Sequence, residues 1–403
     1  MFTQDLPIHK AGGAQNHTEL LSEQLARRGH TVTIITAPLR SRPAEEKKEN
    51  LEIYYLRNKP RFTREMFFRE SARLFADLNK KRPFDVIHSQ QELAGGYAKY
   101  CRHTLPLVMT FHGSPLNEIK TALGERHFKS CLNIPFWLKY HLLDYPAILK
   151  RTDKIITVSR ELKEDVKKQY NLAEEKLVVI PSSVDLSRFA DDLPENIENI
   201  KEKFGVRDEK IILSIGRMEK QKGFHLLLKI LPRLITRKEK IRLILVGSGP
   251  YLKKLKKTAG SMNISEHVIF TGKCSQEDIA AYYKLADLVV LPTLRLEGLP
   301  LVHVEAAACG KPVISSRIGG IPTLIGDYNE GFLVEPGDLF ALEQKIHELL
   351  DNDFLARRLG ENARKKVIEG FNADRMVEDT LNVYREAVAR VRSNAANSAP
   401  SER

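Results

Sequence analysis

Covalent and membrane devices that could fix a fold are nearly missing from this 403-residue chain, which holds four cysteines and one tryptophan. Cys101, Cys131, Cys274 and Cys309 lie far apart, with neither the paired spacing of a metal site nor a disulfide framework, and read as free thiols. No apolar run approaches the ~18 residues that a spanning helix needs, and the N-terminus lacks the apolar stretch of a signal peptide, so the cytoplasm is the expected location. A credible Asp-x-Asp metal motif is also lacking. The "DND" at 351–353 lies between helical segments, far from any strand end, where Asp and Asn serve turns. Stability must therefore come from apolar cores, and 403 residues exceed what one core supports, so two domains are expected.

Charge is present in excess and unevenly. The net charge is +12; residues 1–190 carry 31 Lys and Arg against 22 Asp and Glu, the remainder 33 against 30. A basic first half favours an anionic partner, whether nucleic acid, an acidic membrane surface or a phosphorylated ligand, and does not choose among them.

Short β-branched runs alternate with helix-length segments. "HTVTIITA", "LEIYYLR", "FDVIHSQ", "LPLVMTFHG", "DKIITVS" and "KLVVIPS" form a first series; "KIILSIG", "IRLILVG", "HVIFTG", "DLVVLPT", "KPVISS" and "EGFLVEP" form a second. This pattern predicts an α/β protein of two domains with largely parallel sheets, over residues 1–190 and 191–375. The join falls in 183–209, a charged stretch without a strand of its own. A helix over 376–391 is expected to return towards the first domain, and the small polar tail 392–403 to be disordered.

In open α/β sheets ligands bind beyond the carboxyl ends of strands, so residues just after strands are the informative ones. "SIGRMEKQKG" places Arg217 and Lys222 there, able together to neutralise a diphosphate; a solvated surface pair is the alternative. Gly247 and Gly249 in "LVGSGP" permit close backbone approach before Pro250 opens a helix, although any tight turn would use them. In "EGLPLVHVEAAACGKP", Glu297 sits in a strand-to-helix loop, with Pro300 suited to the first helical turn and Glu305 further down the helix. Carboxylates accept from sugar hydroxyls, so paired acids beside paired bases suit a ligand that is part sugar and part diphosphate. A Glu near a helix N-terminus also has a dipole to satisfy, and that explains one acid but not two. His112 ends the run "VMTFHG" and could face sugar or phosphate, or be a satisfied buried histidine. Gly12 and Gly13 precede a helix and could bring backbone amides to an anion, or only turn the chain.

Residues 61–82 read as an amphipathic helix with Phe67, Ser71, Leu74, Phe75 and Leu78 on one face and Arg69, Arg73 and Lys80 on another. Such a helix could rest on an acidic membrane, or simply cover the core with its basic side in water.

Taken in order, "HTELLSEQLARRGHTVTIIT", "TFHG", "TDKIITVSREL", "SSVDLSRF", "SIGRMEKQKG", "LVGSGP", "YYKLADLVVLPT", "EGLPLVHVEAAACGKPVISSRIGGIP" and "GFLVEPGD" resemble the retaining GT-B glycosyltransferases of family 4, also called group 1. The resemblance implies two Rossmann-like domains facing across a cleft and a nucleotide-diphosphate sugar as donor. It puts Arg217 and Lys222 on the diphosphate, Glu305 on the ribose, and Glu297 on the transferred sugar, with Gly298 and Leu299 in the same donor loop beside Gly247 and Gly249. His112 would lie near sugar and phosphate, and Gly13 in the glycine loop facing phosphate and acceptor. No metal or other cofactor is implied, because the two cations stabilise the leaving charge. The implied acceptor is an envelope lipid or glycan, with peripheral membrane contact through 61–82 and no nucleic-acid partner. A nucleotide-sugar epimerase of the same fold and a non-catalytic binding protein are the alternatives. The chain departs from the family where Met1 stands eleven residues before Gly12, so the first central strand is expected to be missing or reduced to "MFTQ", with a misassigned start as the preferred cause. Smaller departures are "IPSSVD" and Thr323.

Overall fold

Each of the quoted β-branched runs forms a strand. The computed structural model describes residues 1–397 apart from 11, 40–43, 59–63, 103, 115–143, 191–192, 238–239 and 276–277. Strands β1 (Val32–Thr36), β2 (Glu45–Lys48), β3 (Leu51–Tyr55), β4 (Ile87–Gln90), β5 (Leu107–Phe111), β6 (Lys154–Thr157) and β7 (Leu177–Val179) belong to one unit. A second unit holds β8 (Lys210–Ile215), β9 (Ile241–Val246), β10 (Val268–Gly272), β11 (Leu288–Leu291), β12 (Val313–Ser316) and β13 (Gly331–Val334). Only β2 was not foreseen. Its sequence, EEKK, has no strand preference, and it pairs antiparallel with β3 because the chain reverses across Glu49 and Asn50, Glu49 taking a positive φ of 39°.

The division of the chain is Met1–Ser182 with Ala373 onward, and Ser183–Asn372. The expected boundary at 190 is thus too late. Ser183–Ala190 belongs to the second unit because Val184 N–H donates to the Phe371 carbonyl at 3.1 Å and Phe189 is buried there. Residues from Ala373 form a helix that runs to Asn397, which corrects the expectation of disorder from 392; 398–403 lie outside the described residues. This helix is held in the first unit by Arg28 to Asp374 at 2.7 Å and Lys154 to Glu386 at 2.6 Å.

In the second unit all strands are parallel, in the order β10-β9-β8-β11-β12-β13. Numbered within the unit, this is 3-2-1-4-5-6, the doubly wound order whose direction reverses between β8 and β11. Helix Phe224–Arg237 buries Leu227, Leu228, Leu231 and Leu234 in the same core as Leu243 and Leu245 of β9. Each such side chain contributes about 1.5–3 kcal/mol by leaving water.

The first unit has two sheets, β1-β3-β2 and β4-β5-β6-β7. Met1–Gln4 lies between them. Phe2 N–H donates to the His88 carbonyl and Gln90 N–H to the Phe2 carbonyl, both at 2.8 Å, while Ile35 N–H reaches the Met1 carbonyl at 2.8 Å on the other side. The first strand is therefore reduced to a bridge at Phe2, parallel to both Ile35 and Ser89. Cavities of about 800 and 770 Å³, each bordered by Thr33, Arg82 and Phe84, open at this end of the sheet.

The helix expected over 61–82 spans Arg64–Lys81, with 61–63 outside the described residues. Phe67, Phe68, Ser71, Ala72 and Phe75 are buried, Leu74 and Leu78 are half-buried, and Arg69, Arg73 and Lys80 are exposed. Among the described cysteines, Cys101, Cys274 and Cys309 are free thiols; Cys131 is outside the described residues.

Candidate donor-sugar site

The reversal of strand order between β8 and β11 is where the paired bases and acids converge. After β8 the chain forms a short turn of 3-10 helix at Lys220–Lys222, then Gly223 with φ 76°. A Cβ on Gly223 would stand 1.8 Å from the Pro292 carbonyl oxygen, so only glycine lets this loop lie against the exit of β11. That close approach carries Lys222 to Glu297, Nζ to Oε1 2.6 Å, with the two side chains 23% and 16% exposed. Gly319, with φ 56°, closes the loop from the other side: Gly320 N–H donates to the Glu297 carbonyl at 2.9 Å, and a Cβ on Gly319 would meet that same oxygen at 2.2 Å.

Burial alone would raise the Glu297 pKa, but the Lys222 ammonium and its hydrogen bond outweigh that effect and hold the carboxyl below its ordinary value. Glu305 responds in the opposite direction. It lies in helix Leu301–Ala308, is 9% exposed, and accepts from the Tyr283 hydroxyl at 2.9 Å. Burial raises its pKa against the opposing effects of Tyr283 and Arg188. The two acids thus occupy different environments, one neutralised by a cation and one held by a phenol.

Pro300 stands immediately before that helix rather than in its first turn, its extended conformation (ψ 129°) serving as the cap. One turn on, His303 donates from Nε2 to Ser315 Oγ at 2.8 Å, and Ser315 donates to the Leu291 carbonyl at 2.8 Å, which ties the helix to β11 and β12. Burial pushes the His303 pKa down to about 4, so the imidazole is neutral. Gly298 and Leu299 are buried between Glu297 and this helix in sequence.

Arg217 is half exposed and pairs with Glu219 at 3.0 Å. Gly247 and Gly249 bring the loop after β9 onto the loop that carries Arg217: Met218 N–H donates to the Ser248 carbonyl at 3.0 Å, and added Cβ atoms would meet the Gly216 and Met218 carbonyl oxygens at 2.0 and 2.4 Å. The Gly247 N–H is already occupied by the Gly272 carbonyl at 2.8 Å. These glycines therefore pack loop on loop. The next helix begins at Leu252, two residues beyond Pro250.

His112 and Gly13 belong to the first unit. Gly13 opens helix Gly13–Arg27, which brings His17 against His112, ring centroids 4.8 Å apart. Gly12 takes an extended φ of 177° that any residue could adopt. His112 Nε2–H donates to Gln90 Oε1 at 2.7 Å, while His88 bonds Tyr384 at 2.6 Å and Thr110 at 2.7 Å. Burial, with each neighbouring imidazole adding repulsion, pushes the His112 pKa well below its ordinary value. Burial lowers His17 to about 4 and His88 to about 3. Sequence reasoning missed His17, Gln90, Tyr283, Thr293 and Gly223. For His17 a signal existed, since it lies one helical turn from Gly13; for Gln90, Tyr283 and Gly223 the contacts are long-range, and Thr293, four residues before Glu297, also reaches the Gln221 carbonyl across 72 residues.

The motif "DND" is accounted for by turn chemistry. Asn352 caps helix Asp353–Gly370 by accepting from Leu355 N–H at 2.9 Å, Asp351 pairs with Arg237 at 2.8 Å and Asp353 with Lys210 at 3.0 Å.

The family described as "Glycosyltransferase Family 4" matches residues 11–188, and "Glycosyl transferases group 1" matches 196–366. This chain is a GT-B glycosyltransferase of the group 1, family 4 type. An uncharacterized glycosyltransferase of Methanocaldococcus jannaschii is 29% identical over 96% of this chain and 98% of its own. The alpha-monoglucosyldiacylglycerol synthase of Streptococcus pneumoniae is 28% identical over 83% of this chain and 74% of its own. Among solved structures, Anabaena HepE in complex with UDP-glucose has a TM-score of 0.73 at 18% identity, covering 96% of this chain and 98% of HepE, a likeness of fold. The glycosyltransferase has no described helix long and apolar enough to cross a membrane.

Proposed function

We propose that this glycosyltransferase moves a hexose-type sugar from a nucleotide-diphosphate sugar to an envelope lipid or glycan acceptor, with retention of configuration and without a metal. The observation that carries the reading is the Lys222–Glu297 pair at the reversal of strand order, with Glu305 on the helix that follows. A cation for phosphate and an acid for hydroxyls sit side by side where a doubly wound sheet binds nucleotides.

In this reading Lys222 and Arg217 neutralise the diphosphate, Glu305 accepts from the ribose, and Glu297 accepts from the transferred sugar. Gly298 and Leu299 border the donor, Gly247 and Gly249 hold Arg217's loop in place, and His112 and Gly13 serve sugar, phosphate and acceptor. The bond from the anomeric carbon to the diphosphate oxygen breaks as the acceptor oxygen bonds to the same face, and the acceptor's proton passes to the departing phosphate. The two cations stabilise the charge that develops on that phosphate.

Thermal unfolding of the purified chain with UDP, GDP and ADP, and with their sugar conjugates, tests the donor. Binding to the folded state raises stability by mass action, about 2.7 kcal/mol at a hundredfold excess over Kd. One nucleotide series is expected to shift the transition; a cooperative transition that none of them moves would count against the reading.

Membrane contact belongs to the same proposal. The exposed Arg69, Arg73 and Lys80 of helix Arg64–Lys81 form the basic face, worth about 1 kcal/mol each near an anionic surface. Sedimentation with phosphatidylglycerol vesicles should retain the protein at low salt and lose it in the triple Glu variant; equal retention of both would remove this face from the membrane.

A further inference from the structure

Glu297 Oε1 has a second neighbour besides Lys222. Thr293, 3% exposed at the exit of β11, brings Oγ1 to 3.2 Å from it. The same hydroxyl lies 3.3 Å from the Gln221 carbonyl oxygen, and its oxygen accepts from Arg295 N–H at 3.2 Å. A threonine hydroxyl has one proton and here two acceptors, so it can satisfy only one at a time. The Gln221 carbonyl already accepts from Leu294 N–H at 2.7 Å and loses little if the hydroxyl turns away. The Glu297 carboxylate loses much if Lys222 turns away, because a buried anion deprived of its cation is costly.

Gln221 and Lys222 are neighbours in the chain, so the hydroxyl stands between the loop that carries the cation and the acid it neutralises. In the arrangement seen, cation and acid are bound to each other. A donor diphosphate would compete with Glu297 for Lys222, leaving one Glu297 oxygen short of a donor at the moment the sugar must be oriented. We infer that Thr293 is a positioning residue whose hydroxyl proton turns from the Gln221 carbonyl to Glu297 when Lys222 moves to the leaving diphosphate, keeping the carboxylate charged and aimed. This inference rests on the donor-site reading above. The charged and titratable groups facing Glu297 are Lys222, Arg295 and His303, and His303 is neutral.

The test titrates the Glu297 carboxyl carbon by 13C NMR, assigned with Glu297→Gln, in the wild type and in Thr293→Val, Lys222→Met and the double variant. With Lys222 present, loss of the hydroxyl should move the Glu297 pKa little; with Lys222→Met it should raise it by about one unit, the loss of a hydrogen bond to a charged group. Lys222→Gln serves the same comparison if Lys222→Met does not fold. Thr293→Ser should titrate like the threonine parent in both backgrounds. Equal shifts with and without Lys222, or a serine variant that behaves as valine, would overturn the inference. The titration needs no substrate, so its outcome stands apart from that of the donor screen. With the donor identified there, Thr293→Val should lower kcat about tenfold and move the acid limb of kcat, which reports the donor-bound enzyme, upward, while Thr293→Ser keeps that limb in place; an unmoved kcat limb in Thr293→Val would also overturn it.

Discussion

Lys222→Ala should reduce turnover by about a hundredfold, within the range seen when one group that stabilises developing charge is removed. Two losses combine. In the proposed site the diphosphate would give up its most enclosed cation, since Lys222 is 23% exposed in its side chain and Arg217 is 50% exposed and already paired with Glu219. Glu297 in turn loses the partner that offsets its burial, so its pKa should rise and the acid limb of kcat with it. Stability should fall by about 1–3 kcal/mol, less than for a fully buried pair because water reaches both side chains. Turnover with saturating donor, measured with a melting curve of the same preparation, checks the expectation. A folded Lys222→Ala variant with wild-type turnover would remove Lys222 from the chemistry.

Acid should destabilise the first unit well before its carboxylates are protonated. His17 and His88 have pKa values of about 4 and about 3 in the folded chain, and His112 is lowered too, all chiefly by burial. Above pH 6.5 an imidazole is neutral both folded and unfolded and contributes no slope. Below it the unfolded chain takes up protons that the folded one refuses, so stability falls with pH until about pH 4, where His17 protonates in the fold, and further towards pH 3 for His88. For His17 and His88, both 2% exposed, the loss is roughly 3 kcal/mol or more each, against a total stability of roughly 5–15 kcal/mol for a domain. Calorimetry between pH 7.5 and 4.5 should show a transition that drops steeply below pH 6.5, and His17→Phe should flatten the slope. A melting temperature constant down to pH 5 would mean that these rings reach solvent and titrate normally.

How far the site could be read in advance depended on the range of the contact that defines each part. Strands such as "KIILSIG" and "DLVVLPT" were legible because short β-branched runs bounded by Gly and Pro fit a buried, pleated sheet. Arg217, Lys222 and Glu297 were legible as strand-exit residues for the same local reason, and Glu305 as a member of the helix that follows Pro300. Strand β2 was not, because EEKK becomes a strand only by pairing with β3. The last helix runs past the expected 392 to Asn397 because extending a helix already formed is far easier than starting one, and the alanines in this stretch are strong helix formers.

By itself, then, the amino-acid sequence determined the alternation of elements and which charged residues stand at strand ends, since each of these follows from interactions within a few residues, and the alternation in turn favoured parallel sheets. The tertiary structure alone decided which of those residues meet. The 3-2-1-4-5-6 order brings the ends of β8 and β11 together although they are far apart in the chain. Gly223, having no Cβ, lets one loop lie against Pro292, and only then do Lys222 and Glu297 bond at 2.6 Å with the Thr293 hydroxyl beside them. Their pairing depends on a backbone approach between segments about seventy residues apart, and no spacing rule along the chain encodes that.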